Sequence, residues 1–419
     1  MLEVVKEYIN AKLFEEAENI LKMAVSNGID TPMIHYYLGF VYENIRKLSE
    51  RDKEYKIGNS KNPDYVFPHR LEEIEILESV INATGDPKPS YYIGNLLFYL
   101  RRFKEAIEKW EEARRKGLQY SILYRNLGYA YYTVYRDAQK ALKMYEEAIR
   151  LDPLNYRLYL EYDEVCAWLG LTNKRIRTLE EARKRIRKDS ILAKLSSAYV
   201  DAGEYDKALK ILMTNTFTPA EGYYGYWNIY VEALVRRGVE KMKRGKLREA
   251  IEDFLSAFKY PSNLGVGAPY PPYRHEAMQR YWLGECYLAL GEREKALEVW
   301  NKVFIQERLT PVEKYYKGLI LKRLGREKEA KQYFESLLLK ASQRERKIIK
   351  FKKSIPSEYF IFLNYDRQLA LCHCIKATAY LGLMRSKEAL KEFKEARRIT
   401  KDLGHYNWIY NSQLLKENL

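Results

Sequence analysis

Three stretches of this sequence set aromatic rings beside groups able to move a proton. Asp64, Tyr65, Phe67 and His69 form the first, Glu221, Tyr223, Tyr224, Tyr226 and Trp227 the second, and Tyr270, Tyr273, His275 and Glu276 the third. Rings that stack on a sugar and carboxylates that act as acid and base are the parts of a glycoside-processing site, which needs two carboxyl groups roughly 5 to 10 Å apart. The same residues also suit a plainer purpose, since tyrosine-rich loops can plug the curve of a helical array. Packing, contact with a ligand or partner, and catalysis all stay open for them.

Other reactive residue types lead elsewhere. Cys372, His373 and Cys374 are consecutive, but residues two apart on a helix face different sides, so the two thiols do not share an ion. Cys166 and Cys286 fall at core positions. No glycine-rich phosphate loop, nucleophile elbow or zinc spacing occurs, so neither a cofactor nor a metal is expected. Four cysteines in 419 residues make no disulfide framework, and the opening MLEVVKEYINAKLFEEAE is charged from its third residue. With no apolar signal segment and no run able to span a membrane, a reducing, cytoplasmic setting is expected. Abundant charge and scarce glutamine fit a thermophilic source.

The formal charge is +16, which raises the question of a nucleic-acid partner. Lysine and arginine are interleaved with glutamate at three- and four-residue steps, the pattern of solvated helices laced by ion pairs. The denser runs Arg183, Lys184, Arg185, Arg187, Lys188 and Arg346, Lys347, Lys350, Lys352, Lys353 read as solvated faces before they read as docking sites for an acidic partner. Nucleic acid is not the expected partner.

Helices must position all of these residues. Gly94 and Gly128 stand 34 residues apart, and each opens the same series of small and large residues. After Gly94 come Ala106, Trp110 and Ala113; after Gly128 come Ala141, Tyr145 and Ala148, with Pro153 at the next boundary. Small residues let two helices cross closely, and the large one fills the gap between them. The series recurs about the glycines 238, 284 and 318, more loosely at Ala17, Asp163 and Ser196, and again at Ala377, whereas Gly39 opens a hairpin whose second helix is expected only after an insertion, in PHRLEEIEILESVIN with Leu77 and Val80 inward. Repeat five departs from it, with Asp163 in the glycine position and Arg175 where alanine is expected. Such a period marks a two-helix solenoid.

Through Leu127, Gly128, Tyr131, Ala141, Tyr145, Ala148 and Pro153 the chain resembles the tetratricopeptide repeat superfamily. The resemblance implies an all-α, right-handed superhelical solenoid of about ten hairpins, continuous over 1–419 and closed by a C-terminal capping helix. Segments 50–67, 214–228, 260–275 and 343–364 are expected as insertions or irregular stretches, the last extending helices on either side of Pro356. In the tetratricopeptide register the first helices offer Tyr91, Asn95, Arg125, Asn126, Tyr129, Tyr132, Glu161 and Glu164 to a groove. Arginine and asparagine there could hold a peptide carboxylate or backbone, although the full carboxylate clamp known in the superfamily is absent.

A closer resemblance rests on FPHRLEEIEILE (67–78), YYIGNLLFYLRRFKEAI (91–107), FTPAEG (217–222) and YPSNLGVG (260–267). These are similar to the repeat half of a bacterial and archaeal group of uncharacterised function. Its members usually carry an N-terminal β-sandwich like those of carbohydrate-active proteins, and typically have tryptophan where Ala220 stands. Every strong periodic signal is explained by stacking, which favours a scaffold that docks a protein partner on its concave face or inserted loops, and the resemblance implies a separately encoded β-sandwich subunit as one such partner. The alternative it implies is a subunit of a glycoside-processing enzyme, with a glycan bound at Asp64, His69, Glu221, Tyr223, Trp227, Tyr273, His275 and Glu276. No catalysis by this chain alone is expected.

Overall fold

A computed structural model describes residues 1–220, 222–354 and 364–417, the last five of these by backbone alone. Among the described residues every regular element is helical, and the helices pack as two compact units, Met1–Asp152 and Pro153–Leu419.

The first unit pairs α1 (Leu2–Asn10) with α2 (Phe14–Ser26) and α3 (Pro32–Asn44) with α4 (Leu48–Ser60). After a single helix, α5 (Glu73–Thr84), it pairs α6 (Lys88–Tyr99) with α7 (Phe103–Arg115) and α8 (Ser121–Thr133) with α9 (Ala138–Leu151). The second unit pairs α10 (Tyr156–Leu169) with α11 (Thr172–Arg185), α12 (Asp189–Asp201) with α13 (Tyr205–Thr214) and α14 (Gly225–Lys243) with α15 (Leu247–Ser256). It continues with α16 (Ala277–Ala289) and α17 (Arg293–Asn301), α18 (Pro311–Arg323) and α19 (Glu327–Ser354), α20 (Tyr365–Gly382) and α21 (Ser386–Ile399), and ends in α22 (His405–Glu417).

The small-to-large rule sets each crossing. A Cβ on Gly94, Gly284 or Gly318 would fall inside the ring of Trp110, Trp300 or Phe334 respectively, and one on Gly238 would stand 2.6 Å from Phe254. In each case the ring lies sixteen residues after the glycine. Gly128 faces Tyr145 at seventeen, and there the contact relaxes to 3.0 Å. The turn inside each hairpin carries one left-handed residue: glycine at 170, 203, 245, 291 and 325, but Lys12, Arg46, Arg101, Arg136 and Met384 in the others. A non-glycine residue there costs about 1–2 kcal/mol, a cost the hairpin packing must outweigh.

Two expectations need correction. Residues 50–60 form no insertion, because they lie in α4, the regular second helix of hairpin two. Tyr55 sits sixteen residues after Gly39 and fills its crossing, but Arg51 and Gly58 hold the positions where alanine stands in most other second helices. The segment PHRLEEIEILESVIN therefore supplies an additional helix, α5, rather than the missing half of that hairpin. Likewise, residues 343–354 are regular, as the last turns of the 28-residue α19, while Pro356 lies outside the described residues. The expected C-terminal capping helix is α22, which packs Tyr410 on Phe393 of the last hairpin at 5.6 Å and makes the further contacts described below.

The second and third interruptions stand as irregular chain. Residues 215–220 and 222–224 lead into α14, and 260–276 hold two short 3-10 turns, Ser262–Leu264 and Pro271–Tyr273. They dock on each other: the Phe217 amide donates to the Asn263 carbonyl at 2.7 Å, and Asn263 Nδ2 donates to the carbonyls of Leu212 and Asn215, both at 2.8 Å.

Candidate functional site

In the first unit the expected groove residues follow the first helices α6 and α8. Tyr91 is buried among Tyr92 and Tyr120, whose rings lie 5.6 and 5.4 Å away. Asn95 accepts from Trp110 Nε1 at 3.0 Å and from Asn126 Nδ2 at 3.3 Å, so the two asparagines tie consecutive hairpins together. Asn95, Arg125, Asn126, Tyr129 and Tyr132 remain half-exposed and form a row on this face. From the loop before α5, Asp64 accepts a hydrogen bond from Tyr120, and the His69 amide donates to Glu73 at 2.7 Å. The His69 ring is half-exposed, 3.4 Å from Glu3. This loop seats α5: buried Glu73 also accepts from the Arg70 amide and from Tyr37.

Glu161 and Glu164 belong to the second unit, where the first-helix side is already filled. Arg367 of α20 reaches back to Glu164 of α10 at 3.0 Å, and the Lys401 amide donates to the Trp168 carbonyl at 2.8 Å. Hairpins five to ten thus curve until the last meets the first. Inside the curve lies α22. His405 is bonded through Nδ1 to Glu232 of α14, and its Nε2 lies 2.8 Å from the Tyr316 hydroxyl of α18. Trp408 meets Trp282 of α16 edge-on at 5.8 Å and lies under Arg236 of α14. Burial pushes the Glu232 carboxyl up, but Arg236 and His405 outweigh it and hold the group down at about 2. At the closing seam a cavity of about 500 Å³ is lined by Arg175, Asp201, Arg236, Arg397, Lys401 and Asp402, among others.

The two docked interruptions bring a further group together. Trp227 is buried, stacks on Tyr260 with ring planes 6° apart, and donates from Nε1 to the Lys259 carbonyl at 2.8 Å. Tyr223 packs edge-on to Tyr226 at 5.0 Å and keeps half its surface exposed. Tyr273 lies under Arg308, 5.4 Å from its ring, also half-exposed. Glu276 is buried, ion-paired to Arg280 and 3.9 Å from Arg274. His275 Nδ1 stands 3.4 Å from Glu313 Oε2. Hydrogen bonding to Glu313 raises the His275 pKa, while burial raises that of the Glu313 carboxyl. Glu221 lies outside the described residues.

Around this group four buried side-chain atoms find no hydrogen-bond partner among the described residues: Tyr260 Oη, Gln279 Oε1, Arg280 Nε and Gln306 Oε1. An unpaired buried polar group costs about 1–3 kcal/mol, so this concentration is the least self-satisfied place in the second unit. Gln279, Gln306 and Glu313 went unnoticed among the sequence candidates. Their signal was present: Gln279 shares the buried stripe of Leu283 and Cys286, and Glu313 that of Tyr316 and Ile320. A polar residue in an apolar stripe marks either a buried network or a site.

Cys372 and Cys374 are buried thiols, each pushed up by burial. His373 instead pairs with Glu392 at 2.6 Å. Among the described residues no group of three potential ligands could hold a metal, and no helix is long and apolar enough to cross a membrane.

Family models for tetratricopeptide repeats match residues 91–156, 280–304 and 315–339. Among solved structures the chain is similar to YrrB, a protein of this repeat type with an unusual peptide-binding site, at 18% identity over 56% of this chain and 93% of that one, TM-score 0.30. It is similar to Naa15/Naa10 bound to HypK-THB at 13% over 92% and 66%, TM-score 0.41, and to the human IFIT1 dimer at 14% over 94% and 87%, TM-score 0.33. At these values the likenesses carry no functional argument. The three matched stretches and the hairpins that share their crossings place this chain in the tetratricopeptide repeat superfamily.

Proposed function

We propose that the protein is an interaction scaffold that docks a protein partner on the first-helix row of its first unit. One observation carries this reading. In the second unit the equivalent side of α14, α16 and α18 holds a helix, α22, through Glu232, Trp282 and Tyr316. The repeats thus make a surface that suits a helix bearing aromatic and polar side chains. The row of Asn95, Arg125, Asn126, Tyr129 and Tyr132 offers the same mixture, and Tyr99 nearby in sequence is exposed. Solenoid repeats use such rows as extended binding faces.

A separately encoded β-sandwich subunit is the partner that the resemblance of 67–78, 91–107, 217–222 and 260–267 supports. Affinity capture from the native cell tests it. The wild-type chain is expected to retain a stoichiometric protein that a chain carrying Arg125→Glu and Tyr129→Ala loses, with unchanged helicity. A wild-type chain that elutes alone would count against the proposal. We do not extend the reading to glycoside chemistry, since Glu276 is engaged by Arg280 and Arg274 and Asp64 by Tyr120.

A further inference from the structure

We propose that the cavity at the closing seam of the second unit binds a small phosphate monoester, whose phosphoryl group is held by Arg397 and Lys401. The cavity is lined wholly by residues of that unit, so this reading and the docking row on the first unit stand or fall separately.

The cavity measures about 500 Å³, and charged groups from separate helices face it. Arg175 comes from α11, Asp201 from the end of α12, Arg236 from α14, and Arg397, Lys401 and Asp402 from α21 and its link to α22. These groups act on one another across the space. Burial raises the Asp201 carboxyl and Asp402 adds to the rise, against the pull of Arg175 and Arg236.

Charge decides what the space takes. Arg175 is engaged by Asp163 and Asp201, at 2.7 Å each, and Lys194 stands 3.5 Å from Asp163. Arg236 is engaged by Glu232, and Asp402 is met by Arg367 at 3.3 Å. That leaves Arg397 and Lys401. Neither has a carboxylate within ion-pair distance among the described residues: Arg397 Nη1 donates to Asn407 Oδ1 at 2.6 Å and its guanidinium lies over the Tyr410 ring, while Lys401 Nζ donates to the Arg397 carbonyl at 2.7 Å. Both keep further donors, since a guanidinium carries five N–H groups and an ammonium three.

The bond from Lys401 to the Arg397 carbonyl holds its ammonium at the last turn of α21, so the two cations can meet one compact head. A phosphoryl group is such a head: it carries up to two charges and offers three oxygens to a guanidinium fork and an ammonium. A dicarboxylate instead needs its cations set apart. Leu169, Val200 and Trp408 add carbon surface to the lining, which suits an ester with an apolar body. A molecule seated there touches the ends of α10 and α12 on one side and α21 and α22 on the other. It therefore fastens the seam that the Lys401 amide closes on the Trp168 carbonyl.

Calorimetric titration of the full chain with phenyl phosphate tests the proposal, with succinate as the comparison dianion and a phosphoserine peptide as another source of the same head. Saturable binding of phenyl phosphate, one molecule per chain, is expected, with the peptide weaker and succinate silent, and phenyl phosphate should raise the melting temperature. Arg397→Gln and Lys401→Gln should each weaken binding by about tenfold or more, each removing a charge-assisted contact. Lys394→Gln, which takes the same charge from an exposed position of α21 outside the cavity, should leave affinity unchanged. Lys401 is itself exposed, so Lys401→Gln decides the matter should Arg397→Gln fail to fold. Four results would overturn the proposal: no saturable heat with phenyl phosphate, equal losses in Lys401→Gln and Lys394→Gln, succinate binding as tightly as phenyl phosphate, or tighter binding of the peptide, which would place the phosphate on a macromolecule.

Discussion

Replacing Phe334 with alanine is expected to destabilise the second unit by about 3–5 kcal/mol, the range for deleting a fully buried aromatic side chain. Phe334 has no exposed surface, and two backbones press on its ring. A Cβ on Gly318 of α18 or on Gly382 of α20 would fall within it. This one ring therefore closes hairpin nine and also seats hairpin ten, so its loss opens two packing surfaces together. Urea unfolding followed by helicity checks this, through a lower midpoint. Two glycine substitutions supply the complementary test. Gly284→Ala drives a methyl group into Trp300, for which overpacking costs of about 1–3 kcal/mol apply. Gly128→Ala meets Tyr145 at 3.0 Å and should cost less, because a small ring shift relieves it.

The second large effect is expected at repeat five. There Asp163 and Arg175 occupy the glycine and alanine positions, and the Arg175 Nε donates to Asp163 Oδ1 at 2.7 Å. Arg175 also reaches Asp201 at 2.7 Å, and Lys194 stands 3.5 Å from Asp163. A buried ion pair thus does the work that close backbone contact does in most other repeats, and the position that holds a ring in most of them carries the smaller Leu179, as it carries Leu21 and Leu212 in repeats one and six. Arg175→Ala leaves Asp163, with 1% of its side chain exposed, only the partly exposed Lys194 as an ionic partner, at an expected cost of about 3–5 kcal/mol. Asp163→Gly combined with Arg175→Ala removes both charges and restores the common pattern. Asp201 keeps 29% exposure and can be rehydrated. The double variant should therefore unfold at a higher urea concentration than Arg175→Ala alone, a double-mutant cycle with favourable coupling between the two residues. Equal midpoints would show that the pair contributes nothing beyond separate packing.

The hairpins were legible because each crossing repeats one steric requirement, a small residue and a ring at fixed separation. Where chemistry substituted for that pair the reading weakened. Arg51 and Gly58 concealed α4, although Tyr55 stood in register. The place of α22 was hidden for another reason: its contacts with Glu232, Trp282 and Tyr316 arise only when hairpins curve back on themselves, over separations that no local pattern encodes. The docking of the second and third interruptions is equally non-local. Trp227, Tyr273, His275 and Glu276 were found by residue type, whereas Gln279 and Glu313 were absorbed into apolar stripes that predict packing.

Photo-crosslinking in the native cell tests the central claim most directly, with the photoreactive group placed at Tyr132 in one chain and at Trp282 in another. The Tyr132 probe is expected to join a separate protein, and the Trp282 probe to join α22 within the same chain, while a probe at exposed Lys143 gives neither product. A Tyr132 probe that yields no more intermolecular product than the one at Lys143 would contradict a docking row on the first unit.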